Sequence, residues 1–127
     1  MYNINIDSEK KLINFELSGF MARNEVEAIA TEVISVISQL KYKEYSIYAD
    51  LRRLDPVPQD SIPILMEVFK KSLVQVNKIG TVHNRTVTRM QMERIEAGAR
   101  EGSNVENRIC RFRTKEEALS YLFNDNN

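Results

Sequence analysis

Asp50, Ser61 and His83 are an acid, a hydroxyl and an imidazole, the types from which a hydrolase builds a nucleophile, its base and the group that orients the base. The surroundings of Ser61 argue against that use. It lacks the Gly-x-Ser-x-Gly turn that lifts a nucleophile clear of a sheet, and Ile62-Pro63 follow where a flexible oxyanion turn is needed. A lone histidine at a strand end is more simply a structural residue hydrogen-bonded to a neighbouring loop. A binding module without catalysis is therefore the expectation, and a small hydrolase using Asp50, Ser61 and His83 is the alternative.

Other chemistry is poorly supplied. The chain has 1 His and 1 Cys, and no second ligand stands at metal-binding spacing around Cys110. None of Gly-x-Gly-x-x-Gly, a P-loop or His-Glu-x-x-His occurs, so no metal or nucleotide cofactor is expected. Arginines are better represented. Arg52, Arg53 and Arg85 stand near the starts of expected helices, where guanidinium forks and free backbone N–H groups together suit a phosphate or carboxylate. Arg89, Arg108, Arg111 and Arg113 have two readings: they blunt an exposed sheet edge against unwanted pairing, or they form a basic patch for an acidic partner.

These side chains need elements to position them. Tyr2, Ile4 and Ile6 alternate with Asn3 and Asn5, Ile13, Phe15 and Leu17 do likewise, and Asp7-Ser8-Glu9-Lys10 separates them, which reads as a β-hairpin. The period then lengthens to that of a helix face at Val26, Ile29, Ala30, Val33, Ile34, Ile37 and Leu40, with Asn24 as the expected cap. A strand over Tyr45 to Leu51 leads to a loop with prolines at 56 and 58, and Asp60 or Ser61 caps a second helix carrying Leu65 and Phe69. Ile79 to His83 is a short strand. Thr86 to Arg100 is a third helix with Val87, Met90, Ile95 and Ala99 inward and Gly102 past its end, and one of Met90 and Met92 is core. A last strand at Asn107 to Arg113 precedes the capping box Thr114-Lys115-Glu116-Glu117 and a short helix.

The order β-β-α-β-α-β-α-β-α implies an α/β fold with a mixed, mostly parallel sheet of about five strands and helices packed on it. It fills residues 1–123 as a single domain, with 124–127 a frayed polar tail. Ile34, Ile47, Leu65, Phe69, Val82 and Leu119 are expected in the core. Ligands of open parallel sheets usually meet loops at the C-terminal strand ends. That places Asp50, Arg52, Arg53, Asp60 and Ser61 from one crossover beside His83, Asn84, Arg85 and Thr86 from the next.

At 127 residues, with 43% hydrophobic and 28% charged residues, the chain has the size and composition of one ordinary domain. Its formal net charge is zero, which argues against nucleic acid or an anionic membrane as a general partner. The charge is unevenly spread, however. Up to Asp60 there are 7 Lys+Arg against 10 Asp+Glu, and beyond it 11 against 8. The opening residues lack the basic start and apolar core of a signal peptide, no apolar run reaches membrane-span length, and a reducing, cytoplasmic location is expected.

With Asp50-Leu51-Arg52 ending the third strand and Arg111-Phe112 leading into Thr114-Lys115-Glu116-Glu117-Ala118-Leu119-Ser120-Tyr121-Leu122, the chain resembles the STAS-like family of bacterial anti-sigma-factor antagonists over nearly its whole length. The resemblance implies a regulatory module without catalysis. Its partner would be a protein or a small anionic or apolar ligand, and homodimer formation is open to it. In the antagonists a serine at the start of the second helix is phosphorylated to break a partner complex, and Ser61 stands at that helix start. The antagonists have a second serine and a glycine directly after it, whereas this chain has Ile62-Pro63-Ile64.

Overall fold

The structure, a computed structural model, describes residues 1–83, 86–100 and 108–124. The alternating apolar residues form β1 (Tyr2–Asp7), which pairs antiparallel with β2 (Leu12–Gly19). Asp7 shapes the turn between them by accepting from the N–H groups of Glu9 and Lys10 at 3.1 and 3.0 Å. Then follow α1 (Arg23–Ser38), β3 (Ser46–Leu54), a 3-10 turn (Gln59–Ser61), α2 (Ile62–Gln75), β4 (Ile79–Val82), α3 (Thr86–Arg100), β5 (Ile109–Phe112) and α4 (Lys115–Leu122). The element order is the expected one. So is the mixed sheet, in which β2 to β5 are parallel and β1 runs against its neighbour.

The strands lie side by side in chain order, β1-β2-β3-β4-β5. Every parallel connection thus steps in the same direction, and right-handed crossovers made in one direction put their helices on one face. There Val26, Ile29, Leu65, Phe69, Met92 and Ile95 share a core with Ile13, Ile47, Ala49 and Ile79. Helix α4 follows the last strand, and its Ala118 and Leu122 cover the other face with Leu12, Tyr48 and Val82. Because strand order never reverses, the sheet has no switch point of the kind that opens a crevice in many α/β folds.

Several local expectations are corrected. Helix α1 is capped at Ala22, not Asn24, with no side-chain cap bond. Buried Met21 and Val26 flank that cap in hydrophobic-staple positions, so packing does the work of the missing hydrogen bond. Strand β3 runs on to Leu54, which is fully buried beside Gly19. Asp50, Arg52 and Arg53 are consequently strand residues rather than loop residues. In α3 the buried stripe is Thr88, Met92, Ile95, Glu96 and Ala99, while Met90 faces out. The side chain of Val87, and Gly102, lie outside the described residues.

Ile47, Leu65, Phe69 and Val82 are buried as expected, whereas Ile34 and Leu119 are only partly buried at the margins of the two apolar clusters. Long cations close two helix ends. The Arg108 guanidinium donates to the carbonyls of Leu73, Val76 and Asn77 at the end of α2, and Lys78 Nζ donates to those of Tyr121 and Asn124 at the end of α4. Asn124, expected in a frayed tail, is held by that contact. Residues 125–127 lie outside the described residues. No helix among the described residues is long and apolar enough to cross a membrane.

Candidate functional site

At the C-terminal end of the sheet the proline-containing loop between β3 and α2 is pinned from both sides. The Asp55 N–H donates to the Gly19 carbonyl at 3.1 Å, fixing the loop to the end of β2. From α3, Gln91 grips Val57 through both of its amide groups, at 2.9 and 3.0 Å, and the Thr88 hydroxyl donates to the Leu54 carbonyl at 3.0 Å. The starts of α1, α2 and α3 therefore meet around one fixed segment of backbone. The prolines remove donors that such a loop would otherwise have to satisfy.

Asp60 lies on the outside of this junction, where its carboxylate is 3.3 Å from Arg23 Nη1, and Arg23 also reaches Glu27 at 3.0 Å. Ser61 lies underneath. It is completely buried, occupies the capping position of α2 without making a cap bond, and its Oγ has no hydrogen-bond partner. The helical backbone of the 3-10 turn explains this: at φ −86°, ψ −17° Ser61 is already helical, whereas a capping hydroxyl acts from an extended residue.

His83 is buried behind the start of α3, and its Nε2 lies 3.0 Å from Thr81 Oγ1 while Nδ1 has no partner. Burial, with Arg111 and Arg89 nearby, lowers its pKa to about 4, so the imidazole is neutral at physiological pH. Arg111 stands beside Thr81 in the sheet and reaches Glu93 at 3.1 Å and the buried Glu96 at 3.8 Å. Glu96 escaped notice in the sequence, although it follows Met92 by four positions and precedes Ala99 by three, on the inward stripe of α3.

Asp50 belongs to the opposite face. It pairs in register with Val82, which packs under α4, whereas Thr81 pairs with Ala49 on the face of α1 to α3 and holds His83 there. The Asp50 carboxylate receives the Arg52 guanidinium at 3.0 and 2.7 Å, which holds its pKa below the usual carboxylate range. Asp50, Ser61 and His83 thus make no triad contacts: the Ser61 hydroxyl has no partner, and the separation of Asp50 from His83 across the sheet follows from the alternation of β3 and β4. Arg53 is exposed, and Asn84, Arg85 and the side chain of Thr86 lie outside the described residues.

The arginines proposed as a patch divide by role. Arg108 is committed to helix-end carbonyls, Arg89 and Arg111 share Glu93, and Arg113 is exposed past the end of β5. Among the described residues no group of three or more His, Cys, Asp or Glu side chains could hold a metal. An apolar cavity of about 40 Å³ lies between the sheet and α1 and α2, lined by Ile4, Phe15, Val33, Val36, Leu65 and Phe69 among others. Among the described residues that line it, Ser72 alone has a polar side chain.

Solved structures with this arrangement of five strands and four helices match along almost the entire chain. An uncharacterized protein of the DUF3478 family with a SpoIIAA-like fold, from Shewanella loihica PV-4, superimposes with a TM-score of 0.69 over 95% of this chain and 93% of its own, at 14% identity. The chain has a SpoIIAA-like fold. The anti-sigma factor antagonist SpoIIAA in its unphosphorylated form matches with a TM-score of 0.66 over 94% of each chain, at 13% identity. An anti-sigma factor antagonist from Mycobacterium paratuberculosis matches at 0.67 over 98% of this chain and 96% of its own, at 14% identity. No protein-family model and no curated protein matches the sequence. The SpoIIAA-like frame is thus shared with proteins whose sequences differ widely from this one.

Proposed function

We propose that this SpoIIAA-like chain is a non-catalytic regulatory module that docks a protein partner at the C-terminal end of its sheet, around the starts of α2 and α3. The reading rests on the exposure of Phe20 and Met90, at 64% and 61%, next to backbone that is already fixed. Phe20 follows Gly19, which anchors Asp55, and Met90 precedes Gln91, which grips Val57. Large apolar side chains on a rigid base lose little entropy on docking and serve as anchors, and the charged rim of Arg23, Asp60 and Arg89 adds orientation. The fold shared with two anti-sigma factor antagonists supports an anti-sigma factor as the partner class.

Regulation at Ser61 would work by opening this end. A phosphate of −1.5 to −2 charges (roughly) has no room on a completely buried hydroxyl, so modification requires the 3-10 turn to come away from the loop and disturbs the docking surface with it. The test is calorimetric titration of the chain with a candidate anti-sigma factor. Phe20→Ser and Met90→Ser should each weaken binding at least about tenfold with unchanged thermal stability. Unaltered affinity in both variants rejects the surface.

The cavity supports a second reading, in which a small uncharged apolar molecule binds between the sheet and α1 and α2. Its lining suits no anion. Apolar compounds should raise the melting temperature in a ligand-dependent way while phosphate and carboxylate compounds leave it unchanged; the reverse pattern overturns this reading.

A further inference from the structure

Strand β1 forms one edge of the sheet and pairs only with β2 among the described residues. The direction of its backbone groups follows from its first pair. The Met1 amino group donates to the Ser18 carbonyl at 2.9 Å, and the Ser18 N–H returns to the Met1 carbonyl at 2.9 Å. Hydrogen-bonded and non-hydrogen-bonded pairs alternate along an antiparallel ladder. Asn3 and Asn5, opposite Glu16 and Asn14, therefore spend their backbone groups on β2, and Tyr2, Ile4 and Ile6 aim theirs away from the sheet.

The two edges of the sheet differ in how they meet this problem. Strand β5 is four residues long and carries exposed Arg111, with Arg113 just beyond. Strand β1 is six residues long, keeps regular register with β2, and has neither charge nor proline from Tyr2 to Ile6. Among the described residues no proline, bulge or charge protects the edge between Tyr2 and Ile6, and Asp7 at the strand end is turned into the hairpin, where it accepts from the Glu9 and Lys10 N–H groups. Ile6 lies on the same face as Ile4 yet is 46% exposed, which leaves apolar surface at the end of the row.

We propose that β1 is a self-association edge, on which a second copy of this chain pairs antiparallel about a two-fold axis at Ile4. In that register Ile4 meets Ile4 of the partner subunit and Tyr2 meets Ile6 of the partner subunit. These are the residues with outward N–H and C=O groups, so every unpaired group of the row finds a partner. The same register keeps apolar against apolar on the helix-covered face and puts Asn3 opposite Asn5 of the partner subunit on the other. Tyr2 of the partner subunit covers Ile6. A strand pair of this length makes a small interface, which places the dimer among weak, concentration-dependent complexes with a dissociation constant between about 1 μM and 1 mM.

Sedimentation of the full chain from about 10 μM to about 1 mM reads this directly. The wild type should shift from monomer to dimer, and Ile6→Lys, which sets a charge in the apolar row, should weaken the dimer at least about tenfold while leaving circular dichroism unchanged. Disulfide trapping tests the register. In a Cys110→Ser background, Asn3→Cys/Asn5→Cys places thiols opposite one another at a narrow pair and should give a covalent dimer on oxidation, whereas Asn5→Cys alone, offset along the strand, should give at least about tenfold less. A wild type that stays monomeric throughout overturns the proposal. So does a dimer indifferent to Ile6→Lys, or equal trapping by the single and double variants.

Discussion

The Thr81 hydroxyl stands between two groups, 3.0 Å from His83 Nε2 and 3.5 Å from the Cys110 carbonyl. Whichever ring nitrogen of the neutral imidazole carries the proton, the hydroxyl can complement Nε2, as donor or acceptor, whereas Nδ1 is buried without a partner.

This neutral histidine predicts an acid limb of stability. Its folded pKa of about 4 lies below the 6.5 of an unperturbed imidazole. Between those values the unfolded chain binds a proton that the folded chain refuses, so stability falls as pH falls through this window and is fully retained above it. Urea titrations at pH 7 and pH 4.5 (about) should show His83→Gln losing less stability on acidification than the wild type, by on the order of 2 kcal/mol. Equal losses in the two proteins would show that His83 titrates normally.

Ser61 is expected to respond in an unusual order. Its buried hydroxyl makes no hydrogen bond, so Ser61→Ala should be neutral or stabilising by up to about 1 kcal/mol, where a true helix cap would lose about 1. Ser61→Asp should cost at least about 2 kcal/mol, because it places a charge where nothing is exposed. Chemical denaturation of both variants decides the matter, and a destabilised alanine variant restores the capping role.

Arg108 and Arg113 are near neighbours in sequence with different expected costs. Arg108→Ala removes donors from three backbone carbonyls at the end of α2 and should cost on the order of 2 kcal/mol, nearly independent of salt because those acceptors are dipoles and not charges. Arg113→Ala, at an exposed position, should fall within about 0.5 kcal/mol of the wild type. Similar losses for the two would mean that the guanidinium contacts of Arg108 are not maintained in solution.

Phe69 joins α2 to the sheet beside the apolar cavity and is 9% exposed. Phe69→Ala should destabilise by about 3 kcal/mol, at the lower end for such truncations because the ring already borders open space. Occupation of the cavity by an apolar ligand should raise the melting temperature of the wild type more than that of the variant. A cost below about 1 kcal/mol would show that this face of α2 is not core.

Local pattern decided a large part of the fold. Alternation in Tyr2-Asn3-Ile4-Asn5-Ile6, the helical period from Val26 to Ile37 and the Thr114 cap, which accepts from the Glu117 N–H at 3.2 Å, are properties of short stretches of chain and were legible as such. The order of elements followed from them, and the crossover rule then limited the sheet. Glu96 was legible too, as a carboxylate on an apolar stripe. The helix start at Ala22 was not, because a staple between Met21 and Val26 competes with the hydrogen-bonding cap that Asn24 offers, and only the packed core shows which wins.

The candidate site depended on relations that no local pattern contains. Whether Asp50 shares a face with His83 turns on one residue of strand register, and β3 continuing to Leu54 carried Asp50 and Arg52 away from the loop and onto the side of α4. Ser61 disappeared beneath a loop that Gln91 holds from 34 residues away, and Arg108 turned to helix-end carbonyls 31 to 35 residues earlier. The sequence by itself determined which segments are strands and helices, since period and capping act within a few residues. Tertiary structure alone decided which polar groups meet, since a buried hydrogen bond forms wherever packing brings a donor to an unsatisfied acceptor, however far apart in the chain the two began.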